Sequence, residues 1–190
     1  MNKTSIALFA SGNGSNAINL IQYFKDHEQI EVALVVCNKE NAPVVEKSKS
    51  LGVEVLIVSN DEVESGLTLL QELDYRAVKW IVLAGFLRKI PLNLLRGYPD
   101  RIINVHPSLL PKFGGQGMYG MHVHRAVVAA GELKTGISIH LVNEEFDKGR
   151  LLAQFETALS SGDTPEMVAE KVQILEHRYF PEVVEKVIRL

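Results

Sequence analysis

Short, almost unbroken apolar runs separated by amphipathic segments fill the first half of the chain, and they leave few folds open. Residues 5–10, 32–37, 53–58 and 80–84 are such runs. Half-buried strands alternate polar and apolar residues, whereas strands buried on both faces read as continuous apolar stretches. Between the runs lie helical patterns. Ile18, Ile21 and Phe24 give the first an apolar face, residues 42–50 form the second with Gly52 just past its end, and residues 67–77 form the third. Strand–helix alternation of this kind predicts a parallel sheet covered on both sides. The expected fold is therefore α/β, a doubly wound, mostly parallel sheet flanked by helices, with a Rossmann-like first half. Ligands of such sheets bind beyond the carboxyl ends of the strands.

The second half continues the pattern less regularly. A short helix is expected at 91–96, a strand at 102–105, a helix at 122–130 and strands at 136–142 and 151–157. Asp163 or Thr164 should cap a last helix, with Pro165 in its first turn and Pro181 breaking or kinking it. No repeat, low-complexity tract or linker interrupts residues 1–190, so a single domain is expected.

Composition narrows the function classes. The chain is 46% hydrophobic and 23% charged with a net charge of −3, and it has no basic block. That disfavours a nucleic-acid surface, which needs clustered Lys and Arg. The single cysteine, Cys37, lies in an apolar run and reads as a small buried hydrophobe. The first apolar run is too short for a signal peptide and leads straight into a glycine turn. No stretch approaches the ~20 apolar residues of a membrane span. A cytoplasmic protein is expected.

Four groupings carry chemistry. Gly12-Asn-Gly-Ser-Asn16 follows a strand and precedes a helix, where backbone N–H groups and the helix dipole favour an anion. The strand after it ends Cys37-Asn38-Lys39, without the acidic residue that holds a dinucleotide ribose, so a lone phosphate fits better. Asn104 and His106 lie two apart at the end of an apolar strand and so share a face. An amide and an imidazole there can donate to an oxyanion and move a proton. Residues 143–149 form an acidic loop whose carboxylates could orient His106, and spacing alone does not choose among Glu144, Glu145 and Asp147. Gln173 and Glu176 share a helix face. His106, His122, His124 and His140 cluster in sequence, but their spacing matches no common zinc motif, and no metal is expected.

Taken together, Ala10-Ser-Gly-Asn-Gly-Ser-Asn16, Leu83-Ala-Gly-Phe-Leu-Arg88, Asn104-Val-His-Pro-Ser-Leu-Leu-Pro111, Asp147-Lys-Gly149 and Gln173 to His177 resemble, in order, the motifs of the phosphoribosylglycinamide formyltransferase family. The resemblance spans nearly the whole chain. It implies the formyltransferase fold and transfer of a formyl group from 10-formyltetrahydrofolate, as co-substrate, to the amine of glycinamide ribonucleotide in purine synthesis. It further implies that Asn104, His106 and Asp147 are catalytic. Gly14, Ser15, Asn16, Gln173 and Glu176 would bind glycinamide ribonucleotide, and Leu87, Arg88, Lys89 and Ile90, with Asn104, the folate. It implies a cationic His106 as oxyanion donor, with Asp147 favouring its charge, and a monomer or weak homodimer. Two features depart from the pattern. The loop 112–121 is longer and richer in glycine than in many members, and Arg150 follows Asp-x-Gly where an uncharged residue is expected. The competing readings are a formyltetrahydrofolate hydrolase and a non-catalytic folate- or nucleotide-binding module. Added amino- or carboxyl-terminal domains, which the hydrolase and the tRNA-directed branches carry, do not fit in 190 residues.

Overall fold

The computed structural model describes residues 3–189. Its strands are β1 (Thr4–Ala10), β2 (Ile30–Cys37), β3 (Val55–Ile57), β4 (Trp80–Leu83), β5 (Ile102–His106), β6 (Lys134–Leu141) and β7 (Leu151–Ala158). Its helices are α1 (Ser15–Phe24), α2 (Pro43–Ser50), α3 (Asn60–Ser65), α4 (Leu67–Tyr75), α5 (Leu92–Gly97), α6 (Met121–Ala129) and α7 (Pro165–Ile188). The strands form a seven-stranded sheet in the order β3-β2-β1-β4-β5-β6-β7. The β1/β2, β1/β4 and β2/β3 pairs are parallel, and β6/β7 is antiparallel. The doubly wound α/β architecture read from the sequence is thus the one observed.

The chain divides into two compact units. The first runs to Ile103 and takes up the chain again from Val184, and the second is Asn104–Val183. In the first unit β1 is buried from Ser5 to Ala10, as its apolar run requires. The buried face of α1 is Ala17, Leu20, Ile21 and Phe24, whereas Ile18 is only half-buried. Burying each such large side chain contributes roughly 1.5–3 kcal/mol. Cys37 is fully buried against the Lys39 carbonyl, and burial pushes its thiol up, away from reactivity.

Two expectations need correction. Helix α3 was not anticipated, although Ser59-Asn-Asp-Glu62 is a complete capping box whose Ser59 N–H and Glu62 N–H are satisfied reciprocally. And α7 does not break at Pro181 but runs for 24 residues through it. A proline removes one hydrogen bond from a helix; here fully buried Phe180 and Val184 flank it and offset that loss. Of the two candidate caps, Thr164 is the one that accepts the Met167 N–H, while Asp163 binds Ser160 N–H and Lys171.

The last turn of α7 is tied to α1 and the turn after it by Glu185. Its carboxylate accepts the Tyr23 hydroxyl at 2.6 Å and Arg189 at 2.7 Å, and it lies 3.2 Å from His27 Nε2. His27 Nδ1 accepts the backbone N–H groups of Gln29 and Ile30, so the proton facing Glu185 belongs to Nε2. These donors push the Glu185 carboxyl down to about 2. A depressed carboxyl adds stability above its unfolded value, near 4.3, that is lost as pH falls through the folded value. Glu185→Gln should lower stability at neutral pH by about 1–2 kcal/mol. In chemical denaturation followed against pH, the deficit should shrink between about pH 4.3 and pH 2. A deficit constant down to the lower limit would show that the charge contributes nothing.

Candidate active site

In the second unit, β5 delivers Asn104 and His106 to one face, and the loop after β6 delivers Asp147. His106 is 4% exposed. Its Nδ1 lies 3.4 Å from Asp147 Oδ2, and its Nε2 lies 2.8 Å from the carbonyl oxygen of Phe113. A carbonyl only accepts, so Nε2 bears a proton and Nδ1, the nitrogen facing the carboxylate, is the one that gains or loses charge. Asp147 Oδ2 also accepts the Gly115 N–H at 2.9 Å. The 113–115 turn therefore grips the imidazole with one residue and its carboxylate partner with another. Phe113 and Asp147 both hold positive φ, 55° and 56°, which few non-glycine residues adopt.

A fourth side chain completes the cluster. His140 of β6, 2% exposed, has Nε2 3.1 Å from Asn104 Nδ2 and 3.6 Å from Asp147 Oδ1, and its Nδ1 is 2.9 Å from the Leu141 carbonyl oxygen. The sequence presents His140 only as one of several histidines considered for a metal. Its two-residue offset from buried Ser138 on an apolar strand was the available signal that it points inward. Among the described residues no group of three or more His, Cys, Asp or Glu side chains is arranged to hold a metal.

The electrostatics modify the expected role of His106. Burial lowers its proton affinity by more than Asp147 and the Phe113 carbonyl raise it, and His140 lowers it further. In the free protein the neutral ring therefore predominates at pH 7, and a standing imidazolium is not expected. Burial pushes the Asp147 carboxyl up, but His140, His106 and the Gly115 N–H outweigh that and hold it below the usual range. The carboxylate is thus charged and waiting when a proton reaches His106. Of the other acids in the loop, Glu145 pairs with Lys148 at 2.5 Å and Glu144 is exposed. His124 of α6 is also buried, and desolvation followed by the proximity of His106 lowers its proton affinity.

The strand end is held by a polar hub with no sequence signature. Ser138 Oγ donates to the Ser108 carbonyl at 2.7 Å and accepts the Leu110 N–H and Gln154 Nε2, each at 2.8 Å. Gln154 also donates to the Leu110 carbonyl. The Asp147-Lys-Gly149 spacing has a steric reason: a Cβ on Gly149 would collide with the Leu141 carbonyl. Arg150 extends its side chain into solvent, and its carbonyl accepts the Leu141 N–H.

The first unit carries the glycine loop. Gly14 precedes α1 with φ 74° and no side-chain cap, so the first-turn N–H groups of the helix lack the usual side-chain acceptor. Ser15 and Asn16 open the helix, and the Ile18 N–H bonds the Gly14 carbonyl at 2.8 Å. Lys47 of α2 donates to the Asn13 carbonyl and side chain, adding a cation beside the loop that spacing did not reveal. A Cβ on Gly14 would overlap Val44. Gly14→Ala should therefore destabilise by about 2–4 kcal/mol, the sum of a left-handed backbone penalty and overpacking. An unchanged melting temperature would contradict that packing.

The loop after β4 is anchored by Ser11, which accepts the Leu87 N–H at 3.0 Å and donates to Asn38 at 2.7 Å. It presents the side chains of Leu87, Arg88 and Lys89 outward, whereas Ile90 is 5% exposed and belongs to the core. In the second unit Gln173 is exposed and Glu176 half-buried on α7.

A buried Asn–His–Asp cluster after a parallel sheet is the class of site that residue motifs of group-transfer enzymes suggested, and comparison agrees. Residues 4–184 match the formyl transferase family, and the chain belongs to that family. Within it, the chain is similar to phosphoribosylglycinamide formyltransferases. It is 33% identical to that of Bacillus subtilis over 97% of the chain and 94% of the relative. It is 40% identical to the chloroplastic enzyme of Arabidopsis thaliana over 96% of the chain, and spans 64% of that relative's length and 60% of a second plant relative's. The crystal structure of the Bacillus halodurans phosphoribosylglycinamide formyltransferase superposes with a TM-score of 0.89 at 35% identity, covering 97% of this chain and 95% of that one. Among the described residues no helix is long and apolar enough to cross a membrane.

Proposed function

We propose that this chain transfers the formyl group of 10-formyltetrahydrofolate to the amine of glycinamide ribonucleotide, a step of purine synthesis, as a cytoplasmic monomer or weak homodimer. The observation that carries the reading is the Asn104–His106–Asp147 cluster, with the His106 Nδ1 3.4 Å from the carboxylate. The names of the relatives support the choice of substrates.

In the reaction the glycinamide nitrogen attacks the formyl carbon and the carbonyl electrons move onto oxygen. Asn104 Nδ2 donates to the oxyanion, a contact worth about 3–4 kcal/mol of barrier. His106 takes the proton released by the attacking nitrogen, and Asp147 stabilises the imidazolium as it forms. The imidazolium supports the oxyanion until the bond to the folate nitrogen breaks. That nitrogen then receives the proton, so one proton has moved from amine to folate. No step requires a metal or an enzyme-bound covalent intermediate. Gly14, Ser15 and Asn16 take the ribonucleotide phosphate on backbone N–H groups, and Gln173 and Glu176 take its hydroxyl and amine groups. Leu87, Arg88 and Lys89, with the backbone of Ile90, take the folate.

The test is to follow deformylation of the folate by absorbance with and without glycinamide ribonucleotide. Turnover that depends on the amine supports the proposal, and equal turnover without it would assign a hydrolase.

A further inference from the structure

We propose that His140 is a positioning residue for Asn104, acting as the Nδ1–H tautomer that fixes which end of the Asn104 amide serves the reaction. The proposal rests on the reading of Asn104 as the oxyanion donor. An asparagine side chain has one donor end and one acceptor end of nearly equal shape. Only the nitrogen end can stabilise an oxyanion, so an amide free to turn over would offer the wrong end for part of the time.

The tautomer of His140 decides the question. Its Nδ1 lies 2.9 Å from the Leu141 carbonyl oxygen. That oxygen only accepts, so Nδ1 carries the single ring proton of the neutral form. The other nitrogen, Nε2, then has only a lone pair, and the Asn104 atom 3.1 Å away must be a donor. Nδ2 therefore faces His140, gives it one hydrogen and keeps its second for a reacting oxygen.

Two features hold this arrangement. The Leu141 residue that sets the tautomer is pinned by its own N–H to the Arg150 carbonyl at 2.9 Å, and the Gly149 backbone lies against its carbonyl so closely that no side chain fits. The one other acceptor near Nε2, Asp147 Oδ1, stands at 3.6 Å, beyond hydrogen-bond distance, while Oδ2 is engaged by the Gly115 N–H. Nothing closer draws the proton from Nδ1 to Nε2. His140 thus acts through Asn104 and need not touch substrate.

The first test needs no variant. In the free protein labelled with ¹⁵N-histidine, two-bond ¹H–¹⁵N correlations at neutral pH should show His140 neutral with its proton on Nδ1. A proton on Nε2, or on both nitrogens, would overturn the proposal. The second test is kinetic. His140→Asn can still reach the Leu141 carbonyl but not Asn104, and it should lower kcat about 10²-fold with both KM values little changed. His140→Gln, whose longer amide can accept from Asn104, should recover about ten-fold or more of that loss. Because His140 works through Asn104, the His140→Asn/Asn104→Ala double variant should be no slower than Asn104→Ala alone. Additive losses, or wild-type kcat in His140→Asn beside a slow Asn104→Ala, would overturn the proposal while leaving the formyl-transfer reading standing. Wild-type kcat in Asn104→Ala would overturn the oxyanion role itself, and this proposal with it.

Discussion

His106→Ala should lower kcat/KM for formyl transfer by about 10³–10⁴-fold, combining loss of a proton acceptor with loss of an oxyanion donor. The fold should survive, because the ring fills its site at the end of β5 but is not part of a large apolar cluster. Its removal leaves the Phe113 carbonyl without the 2.8 Å contact and Asp147 without a neighbour at 3.4 Å. One carbonyl losing a partner costs about 1–3 kcal/mol, less than the usual stability of a domain. Circular dichroism and a melting curve separate the two effects. The expected pattern is a native spectrum, a modest fall in melting temperature and a nearly dead enzyme. An active variant would remove His106 from the chemistry.

Asp147→Asn should cost about 10²–10⁴-fold in kcat, with a distinctive change in pH dependence. Asparagine keeps the shape and tolerates the left-handed backbone that Asp147 adopts at φ 56°, so the substitution tests charge more than geometry. At present burial lowers the proton affinity of His106 and Asp147 partly restores it. Without the carboxylate the restoring influence is gone, and His106 should hold its proton still less firmly. The limb of the rate profile that reports His106 in the free enzyme should move to lower pH. An unmoved limb with full activity would separate Asp147 from His106 function. The native carboxyl, held below its usual range, contributes stability that is present above its unfolded value and lost as pH falls through the folded one. Asp147→Asn should therefore narrow, not widen, the stability difference from wild type as the solution is acidified.

The first unit was largely legible because its strands advertise themselves. Val82 and Leu83 of β4, like Leu34 to Cys37 of β2, are buried on both faces, so their residues are apolar without a gap. β3 was harder. Only Val55–Ile57 pair, and they are half-buried or exposed, so the apolar run 53–58 overstated the strand. Helix α3 is a single short turn-and-a-half with one buried residue, Val63, and too few apolar positions to show a period. Its signal was the cap rather than the face. Pro181 misled for the opposite reason: a local rule was outweighed by burial of the residues around it.

The site divides along the same line. Asn104 and His106 were legible because both belong to one strand, where a two-residue offset fixes a shared face. Asp147 could not be chosen among its neighbours by spacing, because the choice depends on a left-handed backbone and on Gly149 packing against Leu141. The contributions of Phe113 and Gly115 are made by a carbonyl and an N–H. Backbone groups are present at every residue, so no pattern of side chains announces them. His140 and Ser138 work through partners 36 and 28 residues away, a distance only the folded sheet closes.

The central claim is that the formyl carbon passes from folate nitrogen to glycinamide nitrogen on this chain. Carbon-13 NMR of a single turnover with [¹³C-formyl]-10-formyltetrahydrofolate and glycinamide ribonucleotide follows that carbon directly. The label should appear as a formamide on the ribonucleotide, at a rate abolished in His106→Ala. Label recovered as free formate, at the same rate whether or not the amine is present, would contradict the claim.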